Sequence, residues 1–285
     1  MMKLNQIFTP DKPVVSFEIF PPKPNYPVET IFQTLEQLKD LKPDFISVTY
    51  GAGGSSAARS IEIAGKVKNN FGIETLAHLT CVGATREDIE DILSQLQDNN
   101  IENILALRGD PPAGETQFVQ PENGYAYAKD LIGHINEKNY FCVAAAAYPE
   151  GHIECRDLDQ DIEYLKMKTD QGVDLLITQL FFDNAVFYSF WEKTKKIGIR
   201  CPVSVGIFPV LNAIQIKRIT ALCGATIPPK LERLLNKYGD CPADMEKAGI
   251  EYACEQIVDL INSRVAGIHL YTMNKPAQAK IIMNQ

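Results

Sequence analysis

Two rhythms alternate along the chain. Short apolar runs rich in β-branched and aromatic residues have the two-residue period of strands, and each is followed by a longer stretch whose apolar positions return every three or four residues, the period of a helix. The strands predicted on this basis are Val14–Phe20, Phe45–Tyr50, Glu74–Cys81, Asn103–Gly109, Phe141–Tyr148, Leu175–Phe182, Val203–Phe208 and Gly267–Met273. The helices between them are Val28–Leu41, Ala57–Phe71, Arg86–Asn99, Tyr125–Glu137, Leu158–Gln171, Ala185–Ile197 and Ala213–Cys223. Thr85 and Asp183 or Asn184 are suited to open helices, and Gly72, Gly172 and Gly198 to close them. Eight strand–helix units predict an α/β fold, a closed (β/α)8 TIM barrel with two extra helices, roughly 228–237 and 242–264, before the last strand. An open doubly wound sheet would carry a glycine-rich turn after its first strand. Here that turn is Pro21-Pro22-Lys23-Pro24, which cannot present a row of amide donors. No linker or low-complexity tract divides the chain, so residues 1–285 are expected to form one catalytic barrel domain.

Alternation assigns the strand faces. Val15, Phe17 and Ile19 should pack on helices, with Ser16, Glu18 and Phe20 toward the lumen. The second strand repeats this with Ile46 and Val48 out and Ser47 and Thr49 in. On the third strand Ala77 and Leu79 oppose His78 and Thr80. On the fourth, Leu105 and Leu107 are expected outside, opposite Ala106, Arg108 and Asp110. On the sixth, Gln179 lies between Thr178 and Leu180, two residues from Ile177 and Phe181. Polar groups therefore gather at the C-terminal strand ends, where barrel enzymes build their sites. Any one of them could be a satisfied core group, but the same placement on five strands favours function.

Composition narrows the chemistry. With 45% hydrophobic and 22% charged residues the chain has the profile of a soluble globular protein. The net charge of −8, with no basic run, argues against nucleic acid. No apolar run is long enough for a bilayer, and residues 1–9 lack a signal-peptide core, so no membrane partner and a cytoplasmic location are expected. Seven cysteines without a C-x-x-C pair and four dispersed histidines without H-E-x-x-H give no metal motif. The loop 49–56 has glycines but no Walker lysine. The Arg108-Gly109-Asp110 tripeptide ends a buried strand and so is no integrin ligand. Glu18, set among aromatic residues and a rigid Pro-Pro, is the candidate general acid. Asp161 and Lys168, seven apart, share a helix face.

These motifs, SFEIFPP (16–22), FISVTYGAGG (45–54), AHLTC (77–81), LALRGDPP (105–112), AAYPEGH (146–152), ITQLFFD (177–183) and YTMNK (271–275), resemble those of methylenetetrahydrofolate reductases of the bacterial, flavin-containing type. The resemblance runs through nearly the whole chain. It implies a barrel carrying FAD that passes hydride from NADH or NADPH to 5,10-methylenetetrahydrofolate by a ping-pong route. By that likeness Glu18 is the acid, Asp110 sits near flavin and pterin, and Gln179 contacts pterin or nicotinamide. Thr49, His78, Arg108, Gly109, Tyr127, Ala128, Tyr148, His152, Asp161 and Lys168 fall where the family holds FAD, and Gln215 and Lys275 where it contacts folate. Four positions depart from the family pattern. Lys275 replaces an arginine of some relatives, Ile219 an aromatic ring, and Tyr164 and Met167 more polar residues. The resemblance also implies a homo-oligomer, a dimer or tetramer, and no regulatory response to S-adenosylmethionine.

Overall fold

The computed structural model describes residues 2–23, 25–50, 57–111, 114–115, 117–155 and 157–285. Most of the glycine-rich loop (51–56) and Pro112 of the fourth motif lie outside them. Eight parallel strands close in chain order into a barrel: β1 (Val14–Ile19), β2 (Phe45–Val48), β3 (Glu74–Thr80), β4 (Asn103–Leu107), β5 (Cys142–Ala147), β6 (Leu175–Thr178), β7 (Val203–Ile207) and β8 (Gly267–Tyr271). Closure is made by β8 against β1, from Val14 opposite Gly267 to Glu18 opposite Tyr271.

Each strand hands over to a helix: α1 (Glu29–Lys39), α2 (Ala57–Asn69), α3 (Arg86–Asp98), α4 (Ala128–Glu137), α5 (Leu158–Thr169), α6 (Asn184–Lys196) and α7 (Ala213–Cys223). The helix boundaries follow local chemistry. Thr85 and Asp88 form a reciprocal capping box on α3, and the Asp183 carboxylate accepts from the Ala185 amide at the start of α6. Gly72, Gly172 and Gly198 take φ of 69°, 94° and 87°, the left-handed turn that glycine enters without a Cβ penalty. The extra helices α8 (Pro229–Tyr238) and α9 (Pro242–Asn262) precede β8. A last helix, α10 (Pro276–Met283), was not expected; with Ala279 and Ile282 as its buried positions it is too short to show a period.

Alternation sorts the strand residues as expected on three strands. Phe17, Ile19, Ile46, Val48, Ala77 and Leu79 join the core between sheet and helices. Val14, Phe45, Leu76, Leu105, Cys142 and Leu175 fill the barrel's lower lumen, where fully buried Leu4 plugs the N-terminal end. The Leu4 amide is fixed by Asn103 Oδ1 at 2.8 Å. On β4 the predicted phase is reversed: Ile104 and Ala106 face the helices, and Leu105 and Leu107 face the lumen. Both parities of this strand are apolar, so alternation carried no phase. Among the described residues no helix is long and apolar enough to cross a membrane.

Candidate functional site

At the C-terminal mouth the barrel opens into a cleft of about 370 Å³ lined by residues from seven strand ends, a size within the usual small-molecule range. Glu18, Thr49, His78, Arg108, Gly109, Asp110, Tyr148, His152 and Gln179, all singled out from the sequence, line it together. Leu105, Leu107 and Ile177 supply apolar wall. A second cleft of about 230 Å³, at the opposite end beside Trp191, Arg200 and Arg264, contains none of these groups.

Glu18 stands on β1 between two imidazoles. Its Oε2 is 3.4 Å from His269 Nε2 and 3.6 Å from His78 Nε2. The aromatic neighbours expected from sequence are directed elsewhere. Phe17 is fully buried on the helix side and Phe20 is 38% exposed at the rim, because adjacent strand residues point to opposite faces. His269 carries no signal in the local pattern, lying between Ile268 and Leu270 on β8; its partner is Ser16 on β1, a position that alternation already turned to the lumen. Ser16 Oγ donates to Ile268 O at 3.4 Å and lies 2.8 Å from His269 Nδ1. With Nδ1 engaged by Ser16, Nε2 is the ring nitrogen that faces the carboxyl.

His78 lies 2.6 Å from Ser47 Oγ through Nε2. Burial pushes its imidazole down to about 4, against the opposing pull of Glu18, so it is neutral at pH 7. Folded His78 thus binds fewer protons than unfolded His78 between about 4 and 6.5. The associated stability is fully present above about 6.5 and is lost progressively as pH falls toward 4, up to about 3 kcal/mol. The melting temperature of the wild type should therefore fall more steeply between pH 7.5 and 5 than that of His78→Gln. Parallel curves would refute this assignment.

Tyr271 of β8 also enters the lumen, and its hydroxyl donates to Thr178 O at 2.8 Å. Space for it comes from Gly206 on β7, where a Cβ would stand 2.3 Å from Thr178 O and 2.8 Å from the Tyr271 ring. Gly109, with φ of 86°, would place a Cβ 2.6 Å from Val82 Cγ1 and 3.1 Å from Thr80 Cβ. Its glycine is thus required for packing on the end of β3. Among the described residues, Thr80 Oγ1 beneath it is buried without a hydrogen-bond partner.

The side wall is cationic and aromatic. Lys168 of α5 is driven down to about 8 by burial, with Asp161 opposing. It donates to Ala146 O and stands 5.8 Å from the Tyr148 ring centre. The Tyr148 hydroxyl is pushed up to about 12, chiefly by burial. Burial and Arg108 lower the His152 imidazole. Asp161 and Lys168 therefore stand behind the cleft wall instead of in its lining. Gln179 keeps its side-chain oxygen on the Leu180 amide at 2.9 Å.

The remaining sequence candidates lie farther out. Tyr127 is 59% exposed and precedes Ala128 at the start of α4. Gln215 is in the first turn of α7, and Lys275 is exposed before α10. None of these four lines the cleft. Tyr164 and Met167 are exposed on α5, and Ile219 packs in the cluster formed with α8 and α9. Among the described residues no His, Cys, Asp or Glu group is arranged for a metal.

The family model described as methylenetetrahydrofolate reductase matches residues 3–285. Methylenetetrahydrofolate reductase (NADH) 1 of Arabidopsis thaliana is 38% identical over 99% of this chain and 50% of its own length. The 5,10-methylenetetrahydrofolate reductase of Escherichia coli (strain K12) is 34% identical over 92% of this chain and 86% of its own. The chain spans about half the length of the plant relatives it matches. A solved structure from Clostridium thermocellum, described as binding two copies of 5-methyl-5,6,7,8-tetrahydrofolic acid, superposes with a TM-score of 0.66 at 15% identity, covering 96% of each chain. At that identity the likeness is one of fold.

Proposed function

The chain belongs to the methylenetetrahydrofolate reductase family, and on that premise we propose that it reduces 5,10-methylenetetrahydrofolate to 5-methyltetrahydrofolate, with NADH or NADPH as electron donor and FAD as resident cofactor. The observation that carries this reading is the Glu18 carboxyl at the barrel mouth, accompanied by imidazoles and opening on a cleft partly walled by Leu105, Leu107 and Ile177.

The donor set suits a flavin nucleotide. Arg108 offers a cationic donor, the lowered imidazole of His152 offers a neutral one, and the Thr80 hydroxyl, without a partner among the described residues, marks a polar position beside the cleft. Thr49, His78, Gly109, Asp110 and Tyr148 would surround its ring system, backed by Asp161 and Lys168, with Tyr127 and Ala128 toward its outer end. Gln179 would meet the pterin or nicotinamide, and Gln215 and Lys275 the outer part of folate. When bound, FAD supplies hydride carriage between nicotinamide and folate in alternation, the basis of ping-pong kinetics.

The protein's own task is to move one proton and to exclude competing chemistry. Opening the five-membered ring of the folate requires a proton on the departing nitrogen, which Glu18 delivers. His269 Nε2, 3.4 Å behind Glu18 Oε2, is placed to share and return that proton. His78, kept neutral by burial, adds no cation beside the carboxyl. Asp110, at the rim, places negative charge beside the cofactor.

Purified protein reconstituted with FAD should be yellow, bleach anaerobically with NADH or NADPH, and recover colour on adding 5,10-methylenetetrahydrofolate. Protein that remains colourless after reconstitution, or bleached protein that folate does not reoxidise, would overturn the proposal.

A further inference from the structure

Glu154 lies in the segment between β5 and α5 and is not among the candidates read from the sequence. Its carboxylate meets Arg108 fork to fork: Arg108 Nη1 donates to Oε2 at 2.6 Å and Nη2 to Oε1 at 2.7 Å. The pair ties the end of β4 to the β5–α5 segment across one side of the cleft. Phe118 adds a third contact, its ring centre 5.2 Å from the guanidinium carbon. The Glu154 amide donates to His152 Nδ1 at 3.2 Å, which leaves Nε2 as the protonated nitrogen of the neutral imidazole. The His152 ring in turn meets Tyr148 edge-on at 4.8 Å.

A guanidinium has five N–H donors in one plane, and a bidentate carboxylate takes two of them. The other three then point in fixed directions. A free arginine samples many rotamers and must give them up on binding a ligand, whereas one already clamped gives up few. Side-chain exposure of 20% for Arg108 and 54% for Glu154 puts the clamped end inward and the clamp outward.

We propose that Glu154 is a positioning residue, which holds the Arg108 guanidinium in the orientation that receives a flavin nucleotide. The inference rests on the reading that the cleft takes FAD. It assigns to Glu154 no contact with the cofactor: the carboxylate acts through Arg108, and its main-chain amide acts through His152. The alternative is a competitor, a resident carboxylate that must leave before an acidic group of the ligand can reach the arginine. The two roles predict opposite signs for removal of the charge.

The test is FAD binding to flavin-free protein, followed by quenching of flavin fluorescence, for wild type, Glu154→Gln, Arg108→Lys and the double variant. Loss of the clamp should raise the FAD dissociation constant of Glu154→Gln by about tenfold, the effect of roughly one such hydrogen-bonding contact. Lysine cannot be held as a fork, so Glu154→Gln should weaken binding no further in the Arg108→Lys background. Glu154→Asp, with the same charge on a shorter arm, should recover part of the affinity, and it carries the cycle if Glu154→Gln fails to fold. Unchanged affinity, or losses that multiply in the double variant, would overturn the positioning role. Tighter binding would overturn it in favour of the competitor. Wild-type protein that takes up no FAD overturns the cofactor reading and this inference with it, whereas FAD uptake with an unaffected Glu154→Gln overturns the inference alone.

Discussion

Replacing Glu18 by glutamine is expected to slow flavin reoxidation by methylenetetrahydrofolate by roughly 10²–10⁴-fold, the range for loss of a positioned general acid, while NADH still bleaches the flavin at close to the wild-type rate. Glutamine keeps the size and the hydrogen-bonding reach of the side chain, so the 3.4 Å approach to His269 Nε2 can persist. It has no proton to give to a departing amine. Hydride transfer from nicotinamide involves no such proton, and that half-reaction should be spared. Stopped-flow absorbance measures the two halves separately. Equal loss in both would show that Glu18 organises the site in general, and a normal folate half-reaction would remove it from the chemistry.

The largest stability effect is expected at Gly249, in the middle of α9. Alanine in a helix is ordinarily better than glycine by about 1 kcal/mol. Here a Cβ would stand 1.7 Å from Val210 O and 2.6 Å from Val210 C, both backbone atoms with no freedom to swing aside. Gly249→Ala must therefore push α9 off the segment after β7, at a cost of about 3 kcal/mol or more. That lowers the melting temperature by about 6–12 °C in a chain of this size. In α4, Gly133→Ala meets only the Gln171 side-chain oxygen, at 3.3 Å, and should be neutral or mildly stabilising. Thermal melts of the two variants, followed by circular dichroism, compare them directly, and similar melts would refute the packing argument. Activity should suffer with stability in Gly249→Ala. On the same helix Tyr252 donates its hydroxyl to Phe182 O, and Gln256 Nε2 approaches Phe181 O at 3.4 Å. α9 thereby buttresses the segment that follows Gln179.

The parts of this architecture visible in the sequence were those encoded locally. Strand β1 could be read because Phe17 and Ile19 alternate with Ser16 and Glu18, and the start of α3 because Thr85 is a residue type suited to open a helix. Strand β4, apolar on both faces, offered no alternation from which to choose, and its phase was assigned backwards. His269 was missed for another reason: its neighbours on β8 look like any buried strand, and its polar partners are on β1. Glu154 looked like one more loop carboxylate until the β5–α5 segment came to rest beside Arg108. Gly206 and Gly109 show the same limit, since what forbids a side chain at each is a neighbouring strand. Contacts between distant strands, and the protonation states they impose, become visible only after the barrel has closed.

That closure has a consequence for how the site comes into being. Glu18 and His269 are 251 residues apart, carried by the two strands that complete the ring. The carboxyl acquires the nearer of its two imidazole neighbours in the same event that joins first strand to last. Pairings this remote form late, since the entropy of closing so long a loop must be overcome before the contact is made. A nascent chain can therefore build most of its helices and strand pairs while Glu18 still lacks its contact with His269. Glu18 is among the first side chains synthesised, and its contact with His269 waits until β8 arrives.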